Sequence, residues 1–263
     1  MNVQAIRDQI QSAAVKAGRD PSSIILLGAS KYADVEQVRQ AYEQGLTCFG
    51  ENRSEGLLAK KDLLPDDISW HFIGQLQTNK VKYIIDNVEL IHSLDRLSLA
   101  KELQKRALAK QTTVHALVEV LRDDRESRGG VLPKDIPSFL DQCAQFDRLY
   151  IHGLMCVAPL GCSERETEAC FAKMKDLLDG LSHRIPDNAE MKVLSMGMSH
   201  DFPLESISLP FVPYTLSSPS PAFTIELLKI ECITSESFVP TKFLRMPFSS
   251  FNEIFSPLSK NNV

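Results

Sequence analysis

The chain has 263 residues, of which 43% are hydrophobic and 24% are charged, and its formal net charge is -5. This composition is typical of a globular protein with a sizeable core, and the acidic balance argues against a broad surface for nucleic acid or anionic membranes. The sequence shows no signal-peptide pattern or bilayer-spanning apolar run, and its six cysteines never stand at CxxC spacing. A cytoplasmic protein with buried free thiols is therefore predicted, rather than a disulfide framework or a zinc site.

Apolar periodicity predicts a regular alternation of helices and strands from the N-terminus onward. A helix over 3–17 ends at Gly18, a residue type that suits a helix C-terminus. The run IILLGAS, at 24–30, is typical of a strand buried on both faces. Further strands are predicted at 47–51, 69–74, 89–94, 113–121, 150–157 and 192–197. Further helices are predicted at 35–42, 52–63, 79–85, 95–110, 134–146 and 164–181.

Seven strand patterns, six of them followed by a clear helix, indicate a mostly parallel sheet with helices outside it. The spacing is that of an α/β TIM-type (β/α)8 barrel whose last β/α unit is missing or altered, and a doubly wound open sheet is the competing architecture. At about residue 203 Pro and Ser become frequent, and only AFTIELLKIECI, at 222–233, suits another strand or a short helix. We therefore expect a barrel domain over 1–202 and an atypical, poorly ordered tail over 203–263.

Lys31 directly follows the first predicted strand. The active sites of barrels lie at the carboxyl ends of the strands, and a lysine that is partly removed from water there can form a Schiff base with a carbonyl group. The alternative is a lysine that packs its stem on the strand end and extends its ammonium into solvent. Position alone leaves both interpretations open.

The segment SMGMSHDF, at 195–202, follows the last predicted strand. Ser195 and Ser199 supply hydroxyl groups around Gly197, where the backbone can approach a ligand closely. Loops after the last strands of barrels commonly hold phosphate groups, so the segment is a candidate phosphate site. The alternative is a glycine turn in which Ser199 caps a following helix.

The strings FGEN and HFIGQLQTNK also follow predicted strands and lead into predicted helices. Asparagine is a preferred helix N-cap, so by default Asn52 and Asn79 are interpreted as caps. Glu51 is interpreted as a carboxylate in solvent at the rim.

Four histidines lie in strand-like segments, namely His71, His92, His115 and His152. They occur at different heights in their strands, so we do not expect them to converge on one rim, and no metal site is predicted. The sequence also contains no glycine-rich nucleotide-binding motif and no GxSxG motif of esterases.

Together these strings resemble the YggS/PROSC family of pyridoxal 5′-phosphate (PLP)-binding proteins, also called PLP homeostasis proteins. The matching strings are GASK ending at Lys31, FGEN at 49–52, WHFIGQLQTNKVKY at 70–83, IHSLDRLSLAKEL at 91–103, ESRGG at 126–130, HGLMCV at 152–157 and LSMGMSHDF at 194–202. They occur in the family's order and spacing, and the resemblance covers about residues 5–202.

The resemblance implies a fold similar to the N-terminal barrel of alanine racemase, with PLP held on Lys31 as a Schiff base. It implies that Asn52 lies at the mouth of the cofactor site and that Gly197 and Ser199 belong to its phosphate site. The implied function is intracellular PLP (vitamin B6) homeostasis without established catalysis. The implied partners are PLP and PLP-dependent apoenzymes, with no nucleic acid and no membrane, and the implied state is a monomer.

Two other functions stay open at this point. A PLP-dependent racemase-like enzyme requires a second proton-transfer residue, for which Tyr32 and His71 are the nearest candidates. The tail also departs from the family, because no R-x-G string of the family's phosphate segment occurs after Pro203. A truncated variant with impaired PLP binding is therefore the other alternative, since an open seven-stranded barrel exposes strand edges.

Overall fold

The computed structural model describes residues 2–121, 129–157, 163–181 and 185–197, together with the backbone of 230–233. The helices are α1 (Val3–Lys16), α2 (Val35–Glu43), α3 (Ser54–Lys61), α4 (Val81–Ile84), α5 (Leu97–Lys110), α6 (Ile136–Cys143) and α7 (Glu164–Leu181). The strands are β1 (Ile24–Leu26), β2 (Gly28–Ala29), β3 (Cys48–Glu51), β4 (Ser69–Phe72), β5 (Leu90–Leu94), β6 (Val114–Glu119), β7 (Leu149–Met155), β8 (Ala189–Met196) and β9 (Ile230–Ile233). Each predicted strand and helix up to residue 197 is confirmed, with boundaries that differ by a few residues.

The strands form one sheet in the order β1-β9-β8-β7-β6-β5-β4-β3-β2. Neighbouring strands from β2 to β8 pair in parallel. Only Leu27 separates β1 from β2 along the chain, so the two ends of the sheet order meet and the strands form a ring. The architecture is the predicted TIM-type barrel, and the doubly wound alternative is excluded because its sheet has two separate edges.

The place of the eighth strand is occupied by β9, which runs antiparallel to both of its neighbours. Cys232 lies opposite Ile24 on β1 and opposite Leu194 on β8. The last unit is therefore altered, as predicted, and the open seven-stranded barrel considered above does not describe it. Backbone pairing with β9 satisfies the edges of β1 and β8, which would otherwise present unpaired N–H and C=O groups. Apart from 230–233, the predicted poorly ordered tail lies outside the described residues.

Local sequence explains where the helices begin and end. Asn2 caps α1 by accepting a hydrogen bond from the backbone N–H of Ala5 at 3.0 Å, and Gly18 takes the positive φ of +68° that follows α1. Asp34 and Gln37 form a reciprocal capping box at the start of α2. These residues satisfy backbone groups that a helix end leaves unpaired, and so they fix where α1 begins and ends and where α2 begins.

The core has an outer layer, between the helices and the strands, and a smaller inner part within the ring. The outer layer contains fully buried side chains such as Leu57 on α3, Leu103 on α5 and Ile136 on α6. Two separate clusters fill the inner part, one containing Leu27, Ala29, Cys48 and Ile73, and the other containing Leu90, Leu117, Met155 and Val193. Packing on both faces of the strands makes them a rigid frame for the residues that follow their carboxyl ends.

Four cysteines of the described residues are free thiols, and Cys48, Cys143 and Cys156 among them are buried. Burial raises the pKa of the Cys143 thiol to about 12, so this sulfur stays protonated and unreactive at neutral pH. Within the described ranges no helix is long and apolar enough to cross a membrane.

Candidate functional site

The carboxyl ends of the parallel strands bring three of the predicted site residues to one rim of the barrel. Lys31 follows β2 after Ser30, Asn52 follows β3 directly, and Gly197 follows β8 directly. Because β2 to β8 all run in the same direction, these positions share one end of the ring. The fourth predicted residue, Ser199, lies outside the described residues.

Lys31 is half-buried at this rim. The backbone N–H of the preceding Ser30 donates to the carbonyl oxygen of Gly50 at 2.9 Å, which continues the pairing of β2 with β3 up to the lysine. The Lys31 ammonium lies 4.8 Å from the centre of the Tyr32 ring, at cation–π distance. The Tyr32 side chain is 72% exposed, so the lysine stands between the strand end and an aromatic ring that faces solvent.

Asn52 has a buried side-chain oxygen without a hydrogen-bond partner among the described residues. The predicted capping role is wrong, because Arg53 occupies the N-cap position of α3 and no side chain caps this helix. An unpaired buried acceptor costs about 1–3 kcal/mol. Within the described ranges this oxygen thus leaves an acceptor position open at the end of β3, the strand that pairs with β2.

The loops after neighbouring strands approach each other closely around this rim. A Cβ atom on Gly74 would lie 2.3 Å from the backbone oxygen of Asn52, and one on Gly129 would lie 2.3 Å from Oδ2 of Asp95. A cavity of about 430 Å³ lies beside Asn52, and Gly74, Gln75, Gln77 and Lys80 also line it. Glycine at residue 74 lets the loops after β3 and β4 approach each other closely, and glycine at residue 129 does the same for the loops after β5 and β6.

Gly197 adopts a φ of +96°, a backbone conformation that favours glycine. Ser195, which the sequence suggested as part of a phosphate site, is fully buried, and its hydroxyl is hydrogen-bonded to Nδ1 of His92 at 2.9 Å. Because β5 and β8 are not neighbours in the sheet, this contact crosses the interior of the ring. The hydroxyl of Ser195 thus belongs to the barrel interior, and of this motif Gly197 alone is placed at the rim by the described residues.

Glu51 is not the solvated carboxylate that the sequence suggested, because only 1% of its surface is exposed. It forms an ion pair with Lys60 of α3, with Oε1 and Nζ 2.5 Å apart. No periodic or motif signal marked Lys60, since a lysine on a helix is by default a surface residue. The partnership of these two residues depends on how α3 packs against β3.

The histidines are brought together in two pairs that the sequence did not predict. His71 Nδ1 lies 2.9 Å from His92 Nε2, and His71 Nε2 lies 3.2 Å from the hydroxyl of Ser69. The Ser69 hydroxyl donates to Glu89 at 2.6 Å, and a carboxylate only accepts. With both imidazole rings neutral, Ser69 accepts from His71, His71 accepts from His92, and His92 accepts from Ser195, so that each donor points toward Glu89.

The second pair joins His115 Nδ1 to His152 Nε2 at 2.7 Å, and His152 Nδ1 lies 2.7 Å from the Glu190 carboxylate. Burial, and then the neighbouring His152, lower the pKa of His115 to about 4. Burial also lowers the pKa of His152. Burial alone would raise the pKa of Glu190, but hydrogen bonds from Lys192 and His152 outweigh it and lower that pKa. Within the described ranges no group of three or more metal-ligating side chains is arranged to hold an ion.

A cavity of about 680 Å³ lies at the opposite end of the barrel from Lys31. Ile68, Glu89, Thr113 and His115, which lie before or early in β4, β5 and β6, are among the residues that line it. In barrels this face contributes to stability, whereas the opposite rim carries the chemistry. The rim with Lys31 and Asn52 is therefore the candidate site, although the cavity at the other end is larger.

Comparisons with known proteins find similar proteins over most of the chain. The family model of the alanine racemase N-terminal domain matches residues 1–211. A pyridoxal phosphate homeostasis protein of Aquifex aeolicus is 41% identical over 198 residues, which are 75% of this chain and 86% of that protein. PipY of Synechococcus elongatus PCC7942, solved with PLP bound, is 33% identical with a TM-score of 0.64, over 75% of this chain and 92% of PipY.

The alanine racemase of Clostridium difficile 630 has the same fold at low sequence identity. It is 13% identical with a TM-score of 0.54, over 70% of this chain and 48% of the racemase. At that identity the likeness concerns the arrangement of strands and helices, and it carries no statement about chemistry.

Proposed function

The chain belongs to the family of pyridoxal phosphate homeostasis proteins, built on the alanine racemase N-terminal domain, and from this we propose that it binds PLP through Lys31. The proposal rests on the arrangement of Lys31 and Asn52 at the rim. A lysine amine follows β2, and the neighbouring strand β3 ends in a buried amide oxygen that has no hydrogen-bond partner among the described residues. One ligand that offers both a carbonyl carbon and a hydrogen-bond donor suits this pair.

The residues of the rim fit PLP in their chemistry. PLP supplies an electrophilic aldehyde carbon when it is bound. The Lys31 amine adds to that carbon, and water leaves as the C=N bond of the Schiff base forms. The Asn52 oxygen accepts a hydrogen bond from a ligand donor, and the backbone around Gly197, with Ser199, binds the phosphate.

The proposed role is PLP homeostasis without turnover: a monomer in the cytoplasm holds PLP and delivers it to apoenzymes. A racemase would need a second proton-transfer group. Tyr32 is 72% exposed, and the ring nitrogens of His71 lie within hydrogen-bond distance of Ser69 and His92. No observation on the described residues places either group where it would take a proton from a substrate at Lys31, so nothing favours the racemase alternative over PLP homeostasis.

The test is PLP binding by the purified chain and by two lysine variants. Wild-type protein mixed with PLP is expected to develop a Schiff-base absorbance band, and reduction with borohydride should leave a stable adduct on the Lys31 peptide. Lys31→Ala should show neither. Lys101→Ala, which removes an exposed lysine of α5, is the matched control and should behave as wild type.

A band that persists in Lys31→Ala would place the chemistry on another residue and overturn the proposal. The absence of turnover is tested on the same loaded protein. Amino acids incubated with it in heavy water should keep their α-protons, and exchange that grows with protein concentration would favour the racemase.

A further inference from the structure

A buried carboxylate, Glu51, connects the two strand ends that carry Lys31 and Asn52. Its Oε1 accepts hydrogen bonds from the hydroxyl of Ser30 at 2.8 Å and from the ammonium of Lys60 at 2.5 Å. Its Oε2 accepts from the backbone N–H of Asn52 at 3.1 Å. One side chain is thus bonded to the residue before Lys31 and to Asn52 itself.

Lys60 completes this arrangement from the side of α3. Its ammonium also donates to the backbone oxygen of Ser30, so the same residue is bonded through both its hydroxyl and its carbonyl. Only 8% of Lys60 is exposed, an unusual environment for a lysine. The packing is tight, because a Cβ atom on Gly56 would lie 2.9 Å from Oε2 of Glu51.

A buried ion pair of this kind is a weak source of stability. The loss of hydration offsets most of the attraction between the charges, and apolar residues of similar volume often stabilise a protein as well or better. What the pair does provide is a network of fixed partners, because Glu51 is bonded to Ser30, Lys60 and Asn52 at the same time. That network is located where the chain turns from β2 into Lys31.

We propose that Glu51 and Lys60 are positioning residues of the PLP site, which hold Lys31 and Asn52 at a fixed separation and direction. They touch neither the aldehyde nor the phosphate, and they act through Ser30 and through the backbone of Asn52. The inference rests on the proposed function, because Lys31 has this role only where it is the cofactor lysine. It goes beyond that function by assigning a purpose to a buried cation that the binding chemistry does not use.

The test uses the double variant Glu51→Gln/Lys60→Met, which removes both charges and so leaves neither of them buried without its partner. Two quantities are measured beside the melting temperature: the rate of PLP release from loaded protein, and the labelling rate of Lys31 by an amine-reactive reagent in PLP-free protein. We expect PLP release about tenfold faster, the size that corresponds to the loss of one charge-assisted hydrogen bond. The labelling rate of Lys31 should change severalfold, while the melting temperature stays near that of wild type.

Lys61→Met is the matched control, because Lys61 is the next residue of α3 and pairs with Asp62 near the surface. It should leave release and labelling unchanged. The inference is overturned if the double variant releases PLP and labels Lys31 at wild-type rates, or if both rates change only as far as the melting temperature falls. Labelling is measured without PLP, so it tests the positioning of Lys31 independently of PLP binding. If the wild-type protein forms no Lys31 adduct with PLP, that result contradicts the proposed function and leaves the positioning test intact.

Discussion

Individual residues at the rim are constrained by contacts that leave almost no space. Gly74 is the clearest case, because its α-carbon faces the backbone oxygen of Asn52 at a distance that admits no side chain. Asn52 in turn carries the amide oxygen of the proposed site that has no hydrogen-bond partner among the described residues. The position of Asn52 thus depends on glycine at residue 74.

Gly74→Ala should destabilise the fold by about 1–3 kcal/mol, because the added methyl group forces apart the segments after β3 and β4. It should also weaken PLP binding by displacing Asn52. Gly180→Ala is the matched control: no atom of the described residues lies within 4 Å of the added Cβ, and alanine in the helix α7 should stabilise by about 0.5–1 kcal/mol. Urea unfolding of both variants checks the prediction, and equal stabilities would contradict it.

His115 gives the protein a defined sensitivity to acid. Its pKa is about 4 in the folded protein, against an ordinary value of 6.5. Between these values the unfolded chain binds a proton that the folded protein excludes. Its contribution to stability is therefore complete above pH 6.5 and is lost as the pH falls toward 4.

For this one group the free energy of unfolding should fall by about 2 kcal/mol between pH 7 and pH 5. His115→Gln removes the titrating ring, so the loss between these two pH values should shrink by about that amount. Denaturant unfolding of wild type and variant at both pH values measures it. A variant that loses as much stability as wild type would show that other groups carry the acid response.

At the scale of elements, the chain of hydrogen bonds from Glu89 to Ser195 connects strands that are distant in the sheet. It begins between β4 and β5 and ends on β8, across the interior of the ring. Inner side chains of barrels are mostly apolar, so a polar group there that loses a hydrogen-bond partner destabilises the folded protein. The contact between His92 and Ser195 therefore helps to keep β8, and with it Gly197, in register with β5.

Ser195→Ala should destabilise the protein by about 1–3 kcal/mol, because the buried Nδ1 of His92 loses its donor. The matched control is Ser93→Ala. Ser93 is equally buried and also lies in a strand, but its hydroxyl has no partner among the described residues. Its removal should be neutral or stabilising. Thermal melts of the two variants test this prediction. A larger fall in melting temperature for Ser93→Ala than for Ser195→Ala would contradict the stabilising role of the hydrogen bond between His92 and Ser195.

At the scale of the whole molecule, β9 closes the ring and runs antiparallel to both of its neighbours, β1 and β8. A parallel eighth strand would have to enter the sheet after a crossover from β8, whereas an antiparallel one enters from the other end. Pairing on both sides means that the β9 backbone bonds to β1 and to β8 together. Closure thus depends on a short segment far along the chain from both partners.

Cys232→Pro should open the ring, because proline removes a backbone donor and fits poorly between two paired strands. We expect a loss of at least about 1–3 kcal/mol, the cost of a buried backbone group left without its hydrogen bond, with faster proteolysis and weaker retention of PLP. Cys232→Ala keeps the backbone N–H and is the control. If limited proteolysis and melting temperature do not distinguish the two variants, β9 does not stabilise the barrel in solution.

The alternation of apolar runs determined the order and type of the elements up to residue 197, because periodicity reports which faces of each element are buried. The position of Lys31 and Asn52 after strands also followed from the sequence, since parallel strands share one carboxyl end. The sequence did not reveal the burial of Glu51 with Lys60, the pairing of the histidines, or the direction of β9. Those depend on which side chains meet across space, and local pattern carries no information on contacts between distant strands and helices. The sequence thus determined the alternation of strands and helices and placed Lys31 and Asn52 at strand ends. Only the tertiary structure decided that the sheet closes into a ring, and that Lys60 of α3 meets Glu51 of β3 next to those ends.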